Sequence, residues 1–491
     1  MRSKYMITAA ALSSAILSTL SGPASAAPGI PVASTTGTGS ALFFPYYTVN
    51  AGWATTFNVM NTSGDTLAVK VRFHEKMNSR DVLDFTIIMS PYDAWTGWVQ
   101  DTDQGPTLFT NDNTCTSPLN VSGTRLSNYA YTGSFSDTGP TSLDRMREGY
   151  VELLVMGKIP GTSTPLARDA EHVNGTPRNC AAVDAKFVST EPEWRQGDDP
   201  LDPKYNASAS VVNTLAGSGN PEARDEFVAL TPTTAAGGGD SPLKGNSSWL
   251  SIGTGAGAGT TALAINDWAD DTDSYVSSQA FPWFLEPTIA SVNGLWTVTG
   301  VTAVDSAFSN SATTMNEWAN NGSTGAQVDW VITFPTKAYH ADRFNNQIQA
   351  AVSRYRNGNV AITGATPTLI APFQEAFSLG RSLVDFTYKI YDREELESQA
   401  SGSTSISPVP PGEIESLRYE TNVLQFGDSS VFQALTPTPV DAIELLGGGT
   451  PNGWASVTFN NSVPMAAFAM KARTQGDTLT NYGQAMDNAF K

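Results

Sequence analysis

Residues 41–99, ALFFPYYTVNAGWATTFNVMNTSGDTLAVKVRFHEKMNSRDVLDFTIIMSPYDAWTGWV, constrain the fold more than any other stretch. Apolar and polar residues alternate in short segments, and clusters of Gly, Pro, Asn and Asp interrupt them. Alternation at period two places one side of a pleated strand in a core and the other in water. Trp53, Thr55, Phe57 and Val59 share one face; Leu67, Val69, Val71 and Phe73 form a second, backed by Lys70, Arg72 and His74. Leu83, Phe85, Ile87 and Met89 form a third, and a fourth strand carries Trp95 and Trp98. The breaks at Asn61–Asp65, Met77–Asp81 and Ser90–Asp93 hold the residue types that turns require. The pattern predicts a four-strand antiparallel meander whose apolar face is covered by a second sheet.

The start of the chain reads as a secretory leader. Arg2 and Lys4 precede the mostly apolar Met6–Leu20, and Ala24-Ser25-Ala26 is a small-residue cleavage site, so residues 1–26 are expected to be removed. No later stretch approaches the ~18 apolar residues of a membrane span. The formal net charge is −19, which argues against nucleic acid and anionic membranes as partners. Cys115 and Cys180 are the two cysteines; an oxidising compartment favours their pairing as a disulfide.

These features predict a mainly β chain of two antiparallel β-sandwich units, immunoglobulin-like or jelly-roll-like. Residues 27–41 read as a flexible lead-in and 42–190 as the first sandwich. Residues 191–290 read as an irregular insertion rich in Gly, Pro and Asp. Residues 291–472 read as the second sandwich, with one amphipathic helix over 342–357, and 473–491 as a tail. In the second unit, Gln327–Lys337 is a strong strand stopped by Pro335, and Val384, Phe386, Tyr388 and Ile390 give the apolar face of another.

Several blocks, Leu42-Phe-Phe-Pro-Tyr-Tyr47, Thr56-Phe-Asn-Val-Met-Asn61, Lys70-Val-Arg-Phe73, Asp81-Val-Leu-Asp-Phe85, Asp329-Trp-Val-Ile-Thr-Phe-Pro-Thr-Lys337 and Tyr419-Glu-Thr-Asn-Val-Leu424, carry a resemblance. Together they resemble a proteobacterial family of uncharacterised secreted or cell-surface proteins. That resemblance implies a location and a β-rich fold, and brings no active site with it.

Motifs for chemistry are sparse. His74, His172 and His340 are the three histidines, and none lies in H-E-x-x-H. No G-x-S-x-G elbow supports a Ser-His-Asp hydrolase, although such triads assemble from distant positions. Ser241-Pro-Leu-Lys244 matches S-x-x-K by chance, with a proline inside it. Gly253–Gly259 lacks the lysine of a phosphate loop and reads as a flexible surface loop. Asp267, Asp270, Asp271 and Asp273 leave Ca2+ open as a cofactor, since hard oxygen ligands suit that ion, but their spacing is not that of an EF-hand. Glu394, Glu395 and Glu397 are carboxylates of the kind a glycosidase pairs. Tyr92, Trp95 and Trp98 are candidate stacking aromatics for sugar rings, although alternation sends the two tryptophans to opposite faces.

The expectation is therefore an exported protein, extracellular, at the cell surface or periplasmic, with a structural or adhesive role and no catalytic activity. Its expected partners are further copies of itself or other envelope and matrix components. A secreted carbohydrate-binding protein is the alternative, and an exported hydrolase the third reading.

Overall fold

The computed structural model describes residues 32–133, 136–187, 226–228, 230, 240–266, 305, 307–321, 325–341, 371–373, 375–393, 415–426, 430–440, 451–473 and 480–491. The expected leader, the helix expected over 342–357, the Asp267–Asp273 cluster and the carboxylates Glu394, Glu395 and Glu397 lie outside them.

The fold is mainly β, built from antiparallel sheets in a sandwich-like arrangement. One sheet runs in the order Val32–Ala33, Leu263–Asn266, Ala41–Thr48, Glu148–Ile159, Thr66–Glu75, Asp81–Met89, Cys115–Ser117. The facing sheet runs Gly257–Thr261, Leu243–Ser251, Trp53–Asn61, Ala94–Thr102, Gly105–Phe109, Thr124–Arg125. The four strands expected as one meander are thus divided between two sheets. Thr66–Glu75 pairs with Asp81–Met89, while Trp53–Asn61 pairs with Ala94–Thr102. The turns after Asn61 and after Met89 carry the chain across, and the Asn61 amide ties them by donating to the carbonyls of Asp65 and Ser90 at 2.7 and 2.8 Å. Crossing lets the four apolar faces cover one another: Phe57, Val59, Val69, Val71, Phe85 and Trp95 lie in one buried cluster.

The polar face of Thr66–Glu75 was expected in water, but the whole strand is buried. Its charges are paired across the sheet, Lys70 with Asp84 at 2.5 Å, Arg72 with Asp81 at 3.0 Å and His74 with Glu152 at 3.2 Å. Part of this outer face is covered by the short helices Pro165–Ala170 and Cys180–Phe187, whose Leu166, Val183 and Phe187 pack on Ala68, Ile88 and Met156. Cys115, on the sheet edge, is disulfide-bonded to Cys180, at the start of the second helix.

The stretch read as an irregular insertion supplies three strands to this sandwich. Leu243–Ser251 pairs along its whole length with Trp53–Asn61. Gly253–Gly259 is not a loose loop: it closes a hairpin, with Gly257–Thr261 pairing back on Leu243–Ser251. Leu263–Asn266 then joins the other sheet beside Ala41–Thr48 and receives Val32–Ala33, so part of the expected lead-in is also a strand. Small residues hid this segment because close packing requires them. A Cβ on Gly245 would meet the Phe44 ring at 2.6 Å.

The second half is organised by the 22-residue strand Asn452–Arg473. Its first part pairs with Val384–Asp392 and Ser309–Asn321, its last part with Ala326–Thr333 and Tyr482–Asp487. The sheet continues through Thr421–Gln425, which takes Thr438–Pro439 in parallel. Trp318, Trp330, Phe334, Phe386, Leu424, Val457 and Phe459 fill the core it encloses. The segment expected as a tail is sheet-bound, since Ala489–Phe490 also pairs, on Ser309–Asn321.

The two halves share a further apolar cluster. Tyr46, Trp53 and Trp249 of the sandwich pack with Val331, Phe432, Phe468 and Met470 of the second half. The Trp53 indole N–H donates to the Val431 carbonyl at 3.2 Å.

Candidate functional site

The three aromatic side chains expected to stack on sugars do not form one surface. Tyr92 is 74% exposed, at a left-handed position (φ +61°) of the Ser90–Asp93 turn. Trp95 is 2% exposed and packs in the core on Phe85, with its ring over Gly97, where a Cβ would meet it at 2.4 Å. Trp98 alone lies on the outer face of its sheet. It stacks on Phe109 with centroids 5.7 Å apart and planes 22° from parallel, and its indole N–H donates to Gln100 Oε1 at 2.9 Å. Across the sheet from Trp98 stands Thr56, and beyond it Ser248; Asn58 faces Thr96 on one side and Asn246 on the other. The face around the ring pair therefore offers hydroxyl and amide groups, which both donate and accept hydrogen bonds, with the Asp112 carboxylate accepting from Thr96.

A second ring pair lies on the outer face of the other half. Tyr391 and Trp454 face each other across paired strands and stack at 4.3 Å, 13° from parallel. Trp454 is 44% exposed. On its other side the register places Glu317, whose carboxylate is paired with Lys471 at 3.0 Å. Tyr391 lies next to the strand expected at Val384–Ile390, but strand pairing across distant segments is what brings Trp454 beside it. Phe109, Tyr391 and Trp454 were for that reason not singled out from the sequence.

Among the described residues, several titratable groups are drawn inside. His74 is stacked on Tyr150 and paired with Glu152; burial pushes its pKa down, and the Glu152 and Asp81 carboxylates reverse this to leave it raised. Burial pushes Asp81 up to about 6 against the pull of Arg72. His340 is buried, with Nε2 2.7 Å from Asp305. His172 Nδ1 lies 3.1 Å from the Ser90 hydroxyl and Nε2 lies 3.0 Å from Asn113 Oδ1. This Ser–His–Asn contact joins two loops and the short strand His172–Val173 around a serine that is 3% exposed.

At the junction of the halves, Glu148 holds Lys76 at 2.6 Å and accepts from the Asn50 amide. Asp329 accepts from the Ser430 hydroxyl and the Phe432 N–H, and burial outweighs these donors to push it up to about 7. Burial also pushes Lys337 down to about 7, and its ammonium donates to the Ser382 and Tyr419 carbonyls. Glu148, Asp329 and Lys337 are each 2% exposed or less. All three thus belong to the fold's polar interior.

Among the described residues, no group of three or more His, Cys, Asp or Glu is placed to hold a metal ion, and no helix is long and apolar enough to cross a membrane. Asp101 lies near a hairpin turn and pairs with Arg147 at 2.7 Å. Lys244 of the S-x-x-K match is an exposed strand residue beside the buried Leu243.

Compared with protein-family models, with curated proteins and with solved structures, the chain matches none. The functional reading therefore rests on the geometry above.

Proposed function

We propose that this chain is an exported structural or adhesive protein of the cell surface or extracellular matrix, acting by binding and not by catalysis. The observation that carries the reading is the division of its side chains. Two of the three histidines and several paired carboxylates are buried in the fold, while the outer sheet faces present stacked rings beside polar groups. The disulfide is compatible with an oxidising compartment. The test is where the protein stands on intact cells of its source. Labelling by an antibody without permeabilisation, or recovery from the culture fluid, is the expected result; a protein found only after lysis, with the cytoplasmic fraction, sinks the reading.

A second reading, a secreted carbohydrate-binding protein, is favoured by the Trp98–Phe109 pair. Flat aromatic faces bordered by hydroxyl and amide groups match the alternating apolar and polar faces of a sugar ring. Quenching or shift of tryptophan fluorescence on polysaccharide titration, abolished in Trp98→Ala, is its expected signature; an unchanged titration in that variant removes this face from consideration.

A further inference from the structure

The row Tyr391–Trp454–Glu317 has the construction of a ligand platform. Its three side chains are direct neighbours across three paired strands, so they project from one face of the sheet. Two buried indoles hold the backbone of the row from beneath. Trp318 Nε1 donates to the Tyr391 carbonyl at 2.8 Å, and Trp330 Nε1 donates to the Glu317 carbonyl at 2.7 Å. Gly453 allows the strands to close here, since a Cβ at that position would meet the Tyr391 carbonyl at 2.0 Å. The ring pair is thus fixed before any ligand arrives, which lowers the ordering cost of binding.

The flanking groups narrow the ligand. The next rows along the same face carry Lys389, Ser456 and Met315, then Thr387, Thr458 and Thr313. The Glu317 carboxylate beside Trp454 is matched by Lys471, and Lys389 stands one row away. With 47 acidic against 28 basic residues, the chain as a whole repels polyanions. We propose that the Tyr391–Trp454 pair binds the apolar face of a pyranose ring in a neutral polysaccharide. The proposal deepens the adhesive reading and rests on it for the place where ligand is met. It does not depend on the Trp98 face, which belongs to the other half of the molecule.

The test is affinity electrophoresis and isothermal titration of the chain lacking residues 1–26, with soluble β-glucan, chitooligosaccharide and dextran as neutral probes and alginate as the acidic one. The expected result is retention by at least one neutral probe, no retention by alginate, and a loss of affinity of about tenfold or more in Trp454→Ala, the order seen on removing an aromatic anchor. Trp454→Phe keeps a ring and is expected to bind more tightly than Trp454→Ala. It guards against mere misfolding, as does an unchanged thermal melt of either variant. Retention by no neutral probe, retention by alginate alone, or equal retention of parent and a folded Trp454→Ala each overturns the proposal. A protein found on intact cells without neutral-glycan binding would defeat this inference and leave the adhesive reading standing; glycan binding by a protein confined to the cytoplasm would do the reverse.

Discussion

The indole of Trp249 lies flat on the ring of Phe468, with centroids 4.8 Å apart and planes 13° from parallel. One residue belongs to the hairpin that completes the first sandwich, the other to the long strand of the second half. Phe432 meets the same indole at 5.7 Å, and Tyr46 meets Phe432 at 4.9 Å. Each half therefore finishes its packing on the other.

Phe468→Ala is expected to cost about 3–5 kcal/mol, the usual range for emptying a buried phenylalanine site. Because the site is shared, the parent should unfold in one transition by far-UV circular dichroism and by tryptophan fluorescence alike. Two separated transitions in the parent would show that the junction does not couple the halves.

Asp329 gives a pH dependence of known sign. Its folded pKa, up to about 7 through burial, lies above the ordinary 3.8, so the folded state binds the proton more tightly than the unfolded state. Its contribution is fully present below 3.8 and is lost as pH rises to about 7. Asp329→Asn should flatten that slope and leave the protein more stable than the parent above pH 7, by no more than ~4 kcal/mol on linkage. Denaturant midpoints across that window decide it: an unchanged slope in the variant would refute the assignment.

Arg145 is completely enclosed, with its guanidinium 2.7 Å from Glu75 and 2.8 Å from Asp137. Despite burial, the Arg145 and Arg80 guanidinium groups hold the Asp137 carboxyl well below its usual range. Asp137 therefore stabilises the fold above 3.8, and that stability is lost on acidification below it. Arg145→Met should cost about 3–5 kcal/mol at pH 7, because buried Glu75 loses its guanidinium partner and buried Asp137 keeps only Arg80. The deficit should shrink in acid, where Asp137 takes up a proton. A deficit constant with pH would mean that lost packing, not lost charge, is responsible.

Reduction of Cys115–Cys180 opens a link between residues 65 apart in sequence. A loss of about 2–4 kcal/mol is expected. The helix Cys180–Phe187 should become the first new site of limited proteolysis, because that bond ties it to the sheet edge. Unchanged digestion after reduction would show that Val183 and Phe187 alone anchor the helix.

Much of the β character was legible because Leu67–Phe73, Leu83–Met89 and Val384–Ile390 alternate cleanly, and a pleat follows from alternation without knowledge of partners. Which strands pair was not legible. The Asn61 and Ser90 turns look like hairpin turns, yet they cross between sheets, and only the positions of the opposing apolar faces decide this. Nor does alternation say what covers a polar face, so Lys70, Arg72 and His74 read as solvated when they are ion-paired inside. Leu243–Asn266 was missed because Gly245, Ser247 and Gly259 carry almost no hydrophobic signal. Gly245 carries no side chain where the Phe44 and Leu42 side chains leave no room for one. Trp98 was found as a candidate, but its partner Phe109, and the whole Tyr391–Trp454 pair, exist only through strand register.

The position of Leu243–Ser251 also sets a schedule for synthesis. Trp53–Asn61 is an inner strand only once this segment lies beside it, and Ala41–Thr48 only once Leu263–Asn266 does. As the chain leaves the ribosome, both earlier strands wait with open edges until residue 266 has emerged, and open edges recruit other strands. Products interrupted before Leu243 should therefore precipitate, whereas the finished chain keeps those edges occupied by its own later residues.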